Sequence, residues 1–165
     1  RVLEAMRPYL TEAFGNPSSL HWFGQQARAA LDEARGQVAA LIGASPNEIV
    51  FTGSGTEADN LALRGVAGAV REPRRKIVYS AIEHHAVLNT AKVLHEAGFP
   101  VETVRVGQDG LVDLADLEAK VDEETALVAV MLANNETGVV QPVAEVARIA
   151  HAQGARLAAK EKVTV

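Results

Sequence analysis

Apolar positions along this chain recur with two periods, and each switch between them marks the start of an element. Residues 2–14 carry apolar side chains at helical spacing, which predicts a short amphipathic helix interrupted or kinked at Pro8. Residues 15–19 read Gly-Asn-Pro-Ser-Ser, the chemistry of a turn. An alanine-rich run over 25–42, with Leu31, Ala34, Val38, Leu41 and Ile42 on one stripe, predicts a stronger helix stopped by Gly43. The short apolar run 48–52 predicts a buried strand, the glycines that follow a tight turn, and the stretch from Thr56 to about residue 70 a helix. Residues 76–80 read as the next strand, 85–97 as a helix ended by Gly98, and 101–106 as a strand near a sheet edge. A short helix over 113–121 is capped by Asp113. Residues 125–132, apolar throughout after Thr125, predict the best-buried strand, 134–138 a loop, and 142–153 a helix with Pro142 in its first turn and Gly154 at its end.

Strands separated by helices imply βαβ units. The expected fold is α/β, a three-layer α/β/α arrangement with a mainly parallel sheet and helices on both faces. The 165 residues fit one partial domain, with N-terminal helices over 1–47 and an α/β core over 48–165. The sequence opens on Arg1 within a helical pattern, and the expectation is a piece of a longer polypeptide. Composition then narrows the functions. A net charge of −5 argues against nucleic acid or an anionic membrane as the main partner, and the basic run Arg71, Arg74, Arg75, Lys76 reads as a solvated loop. With no cysteine, these residues hold no disulfide, thiolate metal site or cysteine nucleophile. No apolar run spans a bilayer and no signal peptide is visible, so the expected location is cytoplasmic.

Ligands of parallel α/β sheets bind at the carboxyl ends of the strands. Three predicted loops fall there. In the first, Gly55 removes side-chain bulk while Thr56 offers a hydroxyl and an N–H at a helix start, a combination suited to a phosphate. Simple helix capping by Ser54 or Thr56, with Glu57 or Asp59 as the reciprocal partner, explains the same residues. Gly53-x-Gly55-x-x-Ala58 also matches a dinucleotide fingerprint, but the acid it needs is displaced to Glu83, and the lysine of a triphosphate loop is absent. In the second loop, His84 at a strand end is placed to stack on a planar heterocycle or to move protons, or else is an exposed helix-start histidine. His85, His95 and His151 read as helix-surface residues, and adjacent His84 and His85 diverge too much to share a zinc ion. In the third, 133–138, an amide could donate to a phenolate-type oxygen, or the residues simply form a turn. A phosphate cradle, a stacking imidazole and an amide donor together fit pyridoxal 5′-phosphate.

Four segments carry a resemblance: Gly-Asn-Pro-Ser-Ser-Leu-His at 15–21, Phe-Thr-Gly-Ser-Gly-Thr-Glu-Ala-Asp-Asn at 51–60, Glu-His-His-Ala-Val at 83–87 and Asn-Asn-Glu-Thr-Gly-Val-Val-Gln at 134–141. In order and spacing they resemble the NifS/IscS-type cysteine desulfurases, of the class V aminotransferase group of fold-type-I pyridoxal-phosphate enzymes. The resemblance runs from residue 1 to about 154 and implies an incomplete large domain of that fold. It implies that Gly55 and Thr56 hold the cofactor phosphate, that His84 stacks on the pyridine ring and assists proton transfer, and that Asn135 hydrogen-bonds the ring's phenolic oxygen. It implies L-cysteine as substrate, L-alanine and an enzyme-bound persulfide as products, an iron–sulfur scaffold or another sulfur acceptor as partner, and a homodimer.

The tail departs from that pattern. Lys160 falls where the family has the aspartate that pairs with the pyridine nitrogen. The Schiff-base lysine and the persulfide cysteine of the family are not among these residues. The alternatives are another class V enzyme, a selenocysteine lyase or an aminotransferase, and a non-catalytic α/β binding module.

Overall fold

The computed structural model describes residues 1–71 and 73–152. Lys160 and the tail from 153 onward, including the predicted stop at Gly154, lie outside the described residues. The described residues divide after Phe51 into two compact units.

The first unit holds α1 (Val2–Thr11), α2 (Trp22–Ile42) and a 3-10 turn, Pro46–Glu48. Helix α1 ends three residues before the predicted 14, and Pro8 lies inside it. The Pro8 carbonyl accepts from both Glu12 and Ala13, so the last turn closes on the proline. Helix α2 starts at Trp22, earlier than predicted, because His21 caps it: its Nδ1 accepts from Gly24 N at 3.3 Å. Gly43 terminates it with φ 65, a left-handed conformation that costs glycine nothing. The predicted stripe is only partly correct. Leu41 is 85% exposed, and the buried position is Ala39.

The strand predicted over 48–52 is not formed. Ser45 and Glu48 close a reciprocal capping box around Pro46–Glu48, which commits the first of those residues to a helical turn. The remainder has no ladder partner among the described residues, and Val50 and Phe51 stay exposed. Apolar content alone does not make a strand when no neighbour accepts its backbone groups.

The second unit is the three-layer α/β/α fold. Three parallel strands, β1 (Lys76–Ser80), β2 (Val101–Val104) and β3 (Thr125–Ala129), lie in the order β2-β1-β3. Neighbouring β1 side chains point to opposite faces. Ile77 packs with Leu63 and Ala67 of α3 (Gly55–Ala69) and Val87 and Leu94 of α4 (His85–Glu96). Val78 packs with Leu117 of α5 (Leu114–Lys120) and Val146 and Ile149 of α6 (Val143–Ala152). Helices on both faces and a parallel sheet are as the alternating pattern predicts. Asp113 caps α5 as expected, its Oδ1 accepting from the backbone of Ala115 and Asp116. β2 is an edge strand, also as expected, though it stops at Val104 while Val106 pairs with Val112 in an isolated antiparallel bridge.

β3 differs from its reading as the best-buried strand. It spans five residues rather than eight, pairs on one side only among the described residues, and Leu127, Val128 and Ala129 are only half-buried. The chain leaves the ladder after Ala129 and presents its next backbone groups to a buried side chain, described below.

At the amino end of the sheet, buried Lys76 is bridged by half-exposed Asp122 at 2.5 Å. The lysine's hydrogen bond holds the Asp122 carboxyl below its ordinary 3.8, with burial opposing. A depressed acid stabilises the fold above its unfolded value and loses that contribution as pH falls through the folded one. Asp122→Asn is therefore expected to lower stability by about 1 kcal/mol at neutral pH. Urea titrations at several pH values should show wild type and variant converging as pH drops below 3.8; a difference constant with pH would exclude the ion pair as its source.

Candidate functional site

The carboxyl ends of β1 and β3 and the amino ends of α3 and α4 meet at one edge of the second unit. At the start of α3 a capping box forms: Ser54 Oγ accepts from Glu57 N at 3.2 Å, and Glu57 Oε2 accepts from Gly53 N at 2.8 Å. The capping reading of this loop is thus met, with Ser54 and Glu57 taking the two places it named. It leaves the N–H groups of Gly55 and Thr56 and the Thr56 hydroxyl without a partner among the described residues. These are orphan donors at the positive end of a helix dipole. A Cβ at Gly55 would meet no atom within 4 Å, so the space before these donors is open.

His84 caps α4: its Nδ1 accepts from Ala86 N at 3.1 Å. This bond places the proton of the neutral ring on Nε2 and fixes the ring's attachment. His84 and Thr56 line one concavity of about 300 Å³ between the two helices, together with Asn60, Arg64, His85 and Asn89. His85 therefore faces the same space, a placement that its reading as a helix-surface residue did not contain. Thr56, Asn60 and Arg64 lie one turn apart on α3, and His85 and Asn89 one turn apart on α4, so each helix gives one polar face to the cleft. That i, i+4 spacing was present in the sequence as a signal. The two faces are joined across the cleft by Thr90 Oγ1, which donates to Asn60 Oδ1 at 2.9 Å, while Asn60 Nδ2 donates to the Thr56 carbonyl.

The third loop is organised by Asn134. Its Oδ1 accepts from Glu136 N, Thr137 N and the Thr137 hydroxyl, and its Nδ2 donates to the Ile82 carbonyl at 3.1 Å. Asn135 is exposed and does not line the concavity holding Thr56 and His84. The loop is nevertheless tied directly to the segment carrying His84. Gln141, buried, holds its far end: Oε1 accepts from Val112 N and Nε2 donates to the Gly110 carbonyl.

Glu83 was legible only as a misplaced dinucleotide acid. It is 8% exposed, and Oε1 accepts from the Ser80 hydroxyl at 2.5 Å and from Met131 N at 2.8 Å. Burial pushes its carboxyl above the ordinary 4.5, the two hydrogen bonds oppose that, and nearby Asp59 adds to it. A carboxylate held inward in this way is not offered to a ribose, and no strand precedes Gly53, so both requirements of the dinucleotide reading are unmet.

The donor set suits a phosphate monoester joined to a flat ring: uncommitted N–H groups and a hydroxyl at a helix start, an arginine on the same face, and an imidazole on the neighbouring helix. Groups of three or more histidine, aspartate or glutamate residues able to hold a metal ion are absent among the described residues. No helix among them is long and apolar enough to cross a membrane.

Comparison with known proteins shows the family of the chain. The "Aminotransferase class-V" family profile matches residues 1–159. The chain is 45% identical over 149 residues to a cysteine desulfurase IscS of Dictyoglomus turgidum, covering 90% of this chain and 38% of that protein. It is 46% identical over 150 residues to a human cysteine desulfurase, covering 90% and 33%. Among solved structures, a NifS-like protein superposes with a TM-score of 0.89 at 44% identity, covering 95% of this chain and 43% of the other. SspA in complex with cysteine gives 0.84 at 36% identity, covering 92% and 44%. The chain thus spans about two-fifths or less of the length of these curated relatives.

Proposed function

The chain belongs to the class-V aminotransferase family, and from that premise we propose that it is the cofactor-binding portion of a pyridoxal-phosphate-dependent cysteine desulfurase. The observation that carries the proposal is the cleft between α3 and α4, where uncommitted donors of Thr56 and the imidazole of His84 open onto one space. The relatives' names and the cysteine held by a structural neighbour support the choice of reaction.

Each residue then has a defined task. Gly55 and Thr56 bind the phosphate through N–H groups and the hydroxyl, helped by the dipole of α3. His84 would border the ring, and with Nδ1 committed to Ala86 its Nε2 would be the nitrogen left to hold or move a proton there. Asn135 lies outside that cleft, and a part for it at the ring's phenolic oxygen rests on the family resemblance alone. When bound, pyridoxal phosphate supplies the electron sink that lets the sulfur leave L-cysteine, with L-alanine as co-product. A homodimer, an iron–sulfur scaffold or other sulfur acceptor as partner, and a cytoplasmic location belong to the same proposal. The 165 residues contain no cysteine, so the part they play is binding rather than carriage of a persulfide.

Titration of the chain with pyridoxal phosphate, read by ring absorbance and protein fluorescence, tests this. Saturable binding is expected, with pyridoxal lacking the phosphate much weaker. Thr56→Val should weaken binding about tenfold or more, the equivalent of one charge-assisted hydrogen bond. His84→Ala should leave the phosphate requirement intact while altering the ring's absorbance. Equal affinity for pyridoxal with and without phosphate would overturn the proposal.

A further inference from the structure

The turn that carries His84 is held from below by a buried carboxylate. Residues 80–84 leave β1 at Ser80, and Glu83 folds back inward, so its Oε1 receives the hydroxyl of Ser80 on its own strand and the N–H of Met131, 48 residues away, where the chain has left β3. One residue earlier, the Ile82 carbonyl receives the Asn134 amide. These bonds connect the second and third loops directly. Neither Glu83 nor Ser80 lines the cleft that His84 borders: Ser80 is fully buried and Glu83 is 8% exposed. Keeping a carboxylate in a site whose burial opposes its charge costs stability, and the two donors only partly offset that. A neutral turn would close β1 without this cost, so the group's use lies in what it holds in place.

We propose that Glu83 is the positioning residue of this site: by clasping Ser80 and Met131 N it fixes the 81–84 turn, and so sets the orientation and capping bond of the His84 imidazole. The inference rests on the cofactor reading above for its effect on binding, but its effect on the histidine is measurable with no ligand present.

The test uses the full chain and four variants. Glu83→Gln retains a carbonyl oxygen able to accept from both donors, and is expected to preserve the site. Glu83→Ala removes the clasp. Ser80→Ala removes one donor and keeps the carboxylate. Asp122→Asn weakens the ion pair at the opposite end of the sheet and serves as the stability control. In the ligand-free chain, the ring-nitrogen NMR shifts of His84 should show one fixed tautomer in wild type and in Glu83→Gln. They should move toward a tautomer mixture in Glu83→Ala and part of the way in Ser80→Ala. Pyridoxal phosphate affinity should fall about tenfold in Glu83→Ala, the scale on which loss of an orienting partner acts, and remain within about twofold of wild type in Asp122→Asn at equal folded fraction.

Unchanged His84 shifts in Glu83→Ala overturn the proposal, as does an affinity loss in Asp122→Asn that matches Glu83→Ala. Should Glu83→Ala fail to fold, Ser80→Ala decides alone, and unmoved His84 shifts there overturn it equally. If wild type binds no pyridoxal phosphate while the histidine shifts respond as described, the cofactor reading falls and the positioning role stands.

Discussion

Leu117→Ala is expected to destabilise the chain by about 2–5 kcal/mol, the range for deleting most of a fully buried leucine side chain. Leu117 is 0% exposed and packs with Val78, Val104, Val112, Val121, Val146 and Ile149 on the α5/α6 face of the sheet. Its helix is only seven residues long. A helix that short does not persist in water by propensity alone, so α5 exists because Leu117 seats it. The Asp113 cap and the ion pairs of Asp116 with exposed Arg105 and with Lys120 orient the helix. The surrounding residues, from strands (Val78, Val104), helix α6 (Val146, Ile149) and the segments flanking α5 (Val112, Val121), are all β-branched, and their stiffness resists collapse into the space left behind. Urea denaturation should show a lower midpoint with an unchanged slope. A loss under about 1 kcal/mol would mean that the neighbours repack freely, against the argument from burial. The cleft between α3 and α4 lies on the other face, so pyridoxal phosphate affinity per folded molecule is expected to stay the same.

Gly24→Ala is expected to cost about 3 kcal/mol, whereas Gly36→Ala in the same helix should be neutral or stabilising by about 0.5–1 kcal/mol. The difference comes entirely from surroundings. A Cβ at Gly24 would stand 2.3 Å from the Ser19 carbonyl oxygen, 2.7 Å from Ser19 Cβ and 2.8 Å from the Asn16 carbonyl oxygen. Two of those atoms are backbone, held by the bonds from Ser19 N to the Asn16 carbonyl and from Ser18 N to Asn16 Oδ1, so they cannot swing aside as a side chain would. Gly36 has nothing within 4 Å of its would-be Cβ. There alanine simply removes freedom from the unfolded chain and improves helix propensity. Thermal melting of the two variants, with limited proteolysis of the 15–21 loop, checks the pair. Equal effects at both positions would refute the close-approach argument.

How much of this was legible beforehand varies with the range of the interaction responsible. Gly43, Asp113 and the alternation of helices with strands act over a few residues, and all were readable. Trp22 as the start of α2 was missed because a histidine cap is uncommon beside serine, threonine, aspartate or asparagine. The run 48–52 misled because apolar content reports burial preference but not the presence of a ladder partner. At the site, the position of Gly55 and Thr56 at a helix start and of His84 just past β1 followed from local chemistry. Of two adjacent asparagines, the sequence offers no reason why Asn134 should build the loop while Asn135 stands exposed; that is settled by the Ile82 carbonyl, 52 residues away.

Local order in the chain therefore determined most of the element types, the stop at Gly43, the cap at Asp113 and the four ordered motifs of a chain that belongs to the class-V aminotransferases. The tertiary structure alone decided that Thr56 and His84 share a cleft with Arg64 and His85, that β3 pairs on one side among the described residues, and that Glu83 turns inward as a clasp. The physical reason is sequence separation: periodicity and turn chemistry encode contacts within a few residues, while a buried carboxylate's donors come from wherever the folded backbone brings an unpaired N–H.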